Sequence, residues 1–148
     1  MKDRTFCGFF AGIIAGIPQT ILNLISYYLN FAQIRLLDWM AIIIFGDKPI
    51  DSLQTIIAVV ARIIFAGFLG ILFAHLMKYL DVEHYLFKGW IYGILVMGLL
   101  YGVTSILQVP QLTHTHTYTV ISNFVTASVF GLVLAESLKH LLRERVNI

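Results

Sequence analysis

The sequence predicts an all-α polytopic membrane protein: a four-transmembrane-helix bundle with a short interfacial or re-entrant segment between helices 1 and 2, forming one integral membrane domain over residues 1–148. Hydrophobic residues make up 59% of the chain and charged residues 12%, with a mean hydropathy of +0.85, whereas soluble domains carry roughly a quarter charged residues. Four apolar runs, at about 6–28, 53–77, 87–107 and 119–138, each suffice for a hydrocarbon core about 30 Å thick, which takes roughly 20 helical residues. Ten of the eleven glycines lie in those runs or at their ends, many at every fourth residue. In lipid, helices gain little from the hydrophobic effect on meeting one another, so such small-residue stripes mark where backbones approach.

The first run opens with MKDRTFCGFFAGIIAG, which imitates a secretory signal. It continues past Pro18 without a polar segment ending in small residues, and reads as an uncleaved first span bent near its middle by the proline. Gly8, Gly12 and Gly16 share a face with Gln19, Asn23 and Tyr27. Cys7 is the only cysteine, which excludes an intrachain disulfide. In the segment at about 32–46, AQIRLLDWMAIIIFG, Arg35 and Asp38 interrupt the apolar run and leave too little to span. Trp39 there suits the headgroup level.

The second span contains IAVVARIIFAG, with Arg62 inside an apolar run. Helical spacing puts Thr55, Ala58, Arg62, Ala66 and Gly70 on one face, and Ala74 extends the small-residue stripe. The third span has two glycine pairs, Gly89 with Gly93 and Gly98 with Gly102, about 140° apart around the helix. Two such faces favour a central position for this span or a contact with a second copy. Thr104 prolongs the first pair's stripe and Ser105 the second's. The fourth span aligns Asn123, Ala127, Gly131 and Ala135.

Basic residues set the expected orientation. Lys2, Arg4, Lys78, Lys88, Lys139, Arg143 and Arg145 flank one side of the four spans, against Arg35 and Lys48 on the other. By the positive-inside rule both termini are cytoplasmic in a plasma (inner) membrane protein. Asn23, Arg62, Thr104, Ser105 and Asn123 then fall at similar depth in the outer part of the membrane, and these five form the candidate ligand-binding set, a polar layer within the bundle. An arginine at a helix centre costs about 2.5–3.5 kcal/mol on insertion scales, so Arg62 needs a reason. It either bonds Asn23, Asn123, carbonyls or one of Asp38, Asp47 and Asp51 to hold the fold, or it receives an anion.

Other chemistry is sparse. His114 and His116 in the third loop are weak metal candidates, because a zinc site needs three or four protein ligands. His75 and Glu136 lie near span ends, where a snorkelling rim explains them better than a proton relay. No nucleophile elbow, P-loop, HExxH or dinucleotide fingerprint is present, so no enzyme and no cofactor are expected. The partners implied are the lipid bilayer and a second copy or another membrane protein, not nucleic acid.

The glycine-rich first span, SYYLNFAQI at Ser26–Ile34, the apolar segment ending in Phe45-Gly46, and SNFVTAS at Ser122–Ser128 leading to Gly131 together resemble the small four-span membrane proteins of Gram-positive bacteria of the YqhR-like type. That resemblance implies a plasma-membrane location and no transferable activity. The leading functional expectation is a structural or accessory four-helix subunit that associates through its small-residue stripes. The alternative is a small transporter or ligand-binding protein with an outward-facing pocket around Arg62.

Overall fold

A computed structural model describes residues 3–79, 83–112 and 115–144. It contains helices α1 (Arg4–Tyr28), α2 (Leu36–Phe45), α3 (Ser52–Tyr79), α4 (Tyr85–Ile106) and α5 (Thr117–Glu144), and no strand among the described residues. All but α2 are long and apolar enough to cross a membrane. The spans read from hydropathy begin within a few residues of these helices. The main extension is in α5, which carries Lys139, His140 and Arg143 as further helical turns beyond the apolar run.

Small residues decide the packing. Cβ atoms added to Gly8 would lie 2.7 Å from the Gly70 carbonyl oxygen and 2.8 Å from the Ala74 Cβ. One added to Gly12 would overlap the Ala66 carbonyl. Gly16 meets the Ala66 side chain, so the expected stripes of α1 and α3 do face each other. Gly89 and Gly93 approach Ala127, Gly131 and Ala135 in the same way and join α4 to α5. A second small-residue stripe on α1, formed by Cys7, Ala11 and Ala15, is almost fully enclosed and packs against Phe130, Leu134 and Leu138 of α5. Helix α1 therefore has two small faces, about 100° apart, and lies with α5 in the interior of the bundle; of the two expectations for α4, a central position or a contact with a second copy, the first is not met. The bundle runs α3, α1, α5, α4, and α4 sits at its edge.

Gly98 and Gly102 meet no atom of the chain within 4 Å of an added Cβ, so this second stripe of α4 packs against nothing in the described structure. Alanine has the higher helix propensity, by about 1 kcal/mol in an exposed interior. Gly98→Ala and Gly102→Ala should leave the thermal midpoint of the detergent-purified protein unchanged or slightly raised. A clear fall in that midpoint would show that these glycines meet a neighbour that the single chain lacks.

Helix α2 fills part of the side left open between α3 and α4. After α1 the chain reverses through Asn30, a non-glycine residue at positive φ, while Phe31 and Ala32 donate to the Ser26 carbonyl. The reversal delivers the Leu36 N–H to Asn23 Oδ1 at 2.8 Å. Asp38 accepts from the Arg35 backbone and from its guanidinium and so starts α2, while Gly46 in the left-handed conformation ends it. Side chains of α2 cluster with Met97 of α4 and Ala127 of α5, residues about 15 Å along their helices from the ends nearest α2. Trp39 is 2% exposed and packs edge-on to Tyr101, with ring centroids 5.0 Å apart, so it is enclosed by protein and not turned to a headgroup layer.

Candidate functional site

The polar residues expected in one layer separate into two groups. Asn23 and Asn123 meet directly: Asn23 Nδ2 donates to Asn123 Oδ1 at 3.1 Å, and Asn123 Nδ2 donates to the Tyr101 hydroxyl at 2.8 Å. With Leu36 N–H on Asn23 Oδ1, this chain of bonds ties α1, α2, α4 and α5. Around it, the Ser26 and Ser122 hydroxyls pair at 2.5 Å and Gln33 N–H donates to Thr119 Oγ1. Both asparagines are almost fully enclosed and each amide is engaged at both ends, which is what a buried side chain needs in order not to destabilise the fold. This is a closed clasp holding the α2 end of the bundle together.

Arg62 is not part of it. It is 8% exposed, and its Nη2 donates to Gln19 Oε1 at 3.0 Å. Among the described residues no carboxylate forms an ion pair with it. The acidic residues that offered a partner are engaged elsewhere or remain at the surface. Asp38 is held by Arg35, whose own pKa is raised above its ordinary value chiefly by that hydrogen bond. Asp47 accepts from Gln111 Nε2 and from the Lys48 N–H, and these bonds lower its pKa below the usual carboxylate value. Asp51 is exposed and receives the first turn of α3 at its backbone carbonyl.

Arg62 lines the wall of a cleft. Between α3 and α4 lies a cleft of about 570 Å³, including the open space at its mouth. Its walls are Phe65 and Leu69 of α3, Val96, Met97 and Leu100 of α4, and Trp39, Met40 and Ile43 of α2, closed behind by Ala127 and Phe130 of α5. Gln19, Arg62 and the Trp39 indole are the only polar groups among its lining side chains. The indole Nε1–H is enclosed and has no acceptor. Arg62 also borders a second, mainly apolar groove between α1 and α3, beside Ile17, Thr20 and Ile63. Below the first cleft, Tyr92 of α4 donates its hydroxyl to the Leu69 carbonyl of α3 at 2.7 Å and stacks obliquely on Phe73. These contacts make the floor.

Of the remaining residues singled out in the sequence, Thr104 is buried and its hydroxyl bonds the Leu100 and Tyr101 carbonyls of its own helix. Ser105 is exposed on the outer face of α4 and does not belong to any polar layer. His116 is exposed and its carbonyl caps α5, whereas His114 lies outside the described residues. Among the described residues no three His, Cys, Asp or Glu side chains come together as a metal site. Glu136 accepts from Tyr85 at 2.7 Å and pairs with His140 at 2.9 Å, while Lys139 donates to the same Tyr85 hydroxyl. His75 is exposed and bonds the Ile71 carbonyl one turn back.

The residue that sequence reasoning passed over is Gln19. It lies on the same face of α1 as Gly16 and Asn23, one turn nearer the membrane middle than Asn23, and spacing alone placed it there. Its depth, about 14 Å from the Tyr28 end of α1, matches that of Arg62 on α3, about 15 Å from Ser52. No family model, curated protein or solved structure matches this chain.

Proposed function

We propose that this multi-pass membrane protein is a small ligand-binding or transport protein, and that the cleft between α2, α3 and α4 receives an anionic group at Arg62. One observation carries the reading: a buried arginine on a membrane-spanning helix has, among the described residues, the neutral Gln19 as its hydrogen-bond partner and no carboxylate, and borders a cleft. Gln19 satisfies one donor but cannot neutralise the charge. The asparagine clasp ties α1, α2, α4 and α5, and the close contact of Gly8, Gly12 and Gly16 with Ala66, Gly70 and Ala74 joins α3 to α1, so the Arg62–Gln19 bond is not the sole link of α3 to the bundle. An arriving carboxylate or phosphate would supply both the missing acceptors and the missing charge. By the excess of basic residues at the other end, the cleft opens in the outer half of a plasma membrane and both termini are cytoplasmic.

A second reading keeps the accessory-subunit role, and the uncovered Gly98 and Gly102 stripe favours it, since small residues in lipid mark close helix contacts. The two readings are compatible, because the stripe and the cleft use different faces of α4.

The test is thermal unfolding in an uncharged detergent at constant ionic strength, comparing wild type with Arg62→Gln. Acetate, inorganic phosphate, decanoate and decyl phosphate are each titrated. At least one of them should raise the wild-type midpoint saturably, approaching about 2.7 kcal/mol of stabilisation at a hundredfold excess over its Kd, and leave Arg62→Gln unmoved. Equal shifts in both proteins, or none in either, would overturn the proposal.

A further inference from the structure

We infer that the occupant is a single-chain amphiphile with an anionic head, taken up sideways from the bilayer through the gap between α3 and α4. The inference rests on the reading that Arg62 holds an anion, and adds to it the chemistry of the rest of the ligand and its route.

The route follows from what is closed. Toward the loop end, α2 covers the cleft with Trp39, Met40 and Ile43, and the asparagine clasp fixes the start of α2 in place. Toward the terminal end, the Tyr92 bond to Leu69 and the Phe73 contact join α3 to α4. On the remaining side α3 and α4 do not pack against each other along the cleft, and the rim residues Phe65, Leu69, Val96 and Leu100 are half-buried. Since both helices are membrane spans, that side faces lipid.

The ligand's chemistry follows from the walls. Arg62 and Gln19 sit together at one place, so the polar part of the ligand is compact and negative. Everything else lining the cleft is hydrocarbon, thioether or aromatic, the Trp39 N–H being enclosed. A free inorganic anion would have to cross this apolar rim and would leave the walls uncovered; an alkyl chain covers them. Met40 and Met97 are unbranched and adaptable, which suits a flexible chain better than a rigid ring. Carboxylate and phosphate heads share the chemistry that Arg62 demands, and the experiment separates them.

Trp39 provides the probe, because it lines the cleft while the other tryptophan, Trp90, is 38% exposed on the outside of α4. With Trp90→Phe as the parent, the protein is placed in nanodiscs of uncharged lipid and its Trp39 fluorescence is followed. The additions are 9,10-dibromostearate, a brominated alkyl phosphate and a brominated alkyltrimethylammonium. At least one anionic quencher should quench saturably at low mole fraction, at least five times more steeply than the ammonium. Arg62→Lys should keep saturable quenching with weaker affinity and Arg62→Gln should lose it, both variants being checked first for insertion and unfolding midpoint.

Saturable quenching by the ammonium equal to that of the anions, or saturable quenching that survives Arg62→Gln, would overturn the inference. So would shallow, unsaturated quenching by all three. If in that last case acetate or phosphate still stabilises wild type through Arg62, only the amphiphile inference falls. If those salts also fail, the anion reading falls with it.

Discussion

Gly12→Leu is expected to lower the thermal midpoint by about 10 °C or more, the largest effect of any single substitution considered. The atoms facing Gly12 are backbone: the Ala66 carbonyl carbon and the Gly67 Cα would each lie 2.9 Å from an added Cβ, with the carbonyl oxygen closer still. Side chains can rotate away from an intruder, but these atoms move only if α3 moves. Overpacking a tight site typically costs about 1–3 kcal/mol and sometimes more, and separating α1 from α3 also loosens the Gly8 and Gly16 contacts and draws Gln19 away from Arg62. A loss of more than about 3 kcal/mol corresponds to roughly 6–12 °C in a chain of this size. Thermal unfolding followed by circular dichroism in one detergent checks it. A midpoint within about 2 °C of wild type would mean that the α1–α3 approach is not what holds the bundle.

That approach was legible in the sequence for a physical reason. Close helix contact in lipid demands small side chains at every fourth position, so Gly8, Gly12 and Gly16 announce a partner and Ala66, Gly70 and Ala74 supply one. The stripe of Cys7, Ala11 and Ala15 was harder to see, because alanine and cysteine stand out little in a chain this apolar. Without it the two glycine pairs of α4 suggested either a central position for α4 or a contact with a second copy, and α1 was not singled out. Gly67, which receives the ring of Phe9, lies off the stripe and is explained only by a neighbour that sequence spacing does not name.

The candidate site was legible in part. Spacing and depth put Asn23, Asn123 and Arg62 inside the bundle in the same half of the membrane, and the structure buries all three side chains. Depth does not say which helices touch. Asn23 and Asn123 meet because α1 packs on α5, while Arg62 meets Gln19 across the α1–α3 contact. The burial of α2 depends on a tertiary bond, Leu36 N–H to Asn23, and on Arg35 neutralising Asp38. With that pairing made, one of the acids that could have served Arg62 is already taken.

Asn123→Leu carries the second large effect. The substitution nearly conserves volume but removes the acceptor of Asn23 Nδ2 and the donor to the Tyr101 hydroxyl at a fully enclosed site. Interhelical hydrogen bonds in membrane proteins average only about 0.6 kcal/mol, with the strongest near 1.7. Leaving a buried amide without its partner costs about 1–3 kcal/mol more, so a total near 2 kcal/mol and a fall of about 5 °C are expected. The start of α2 is secured on Asn23, so this variant should also be cut faster by protease between Asn30 and Gly46.

Arg62→Leu should behave in the opposite way. It removes one hydrogen bond to Gln19, and it also removes a charge whose placement at a helix centre costs about 2.5–3.5 kcal/mol. The measurement that bears most directly on the role of Arg62 is therefore the pair of thermal midpoints for Asn123→Leu and Arg62→Leu beside wild type, in one uncharged detergent without added anion. A midpoint about 5 °C lower for Asn123→Leu, with Arg62→Leu at or above wild type, is the predicted result: the asparagines hold the fold and the arginine waits for a ligand. A fall for Arg62→Leu as large as that for Asn123→Leu would contradict it and make Arg62 a structural residue.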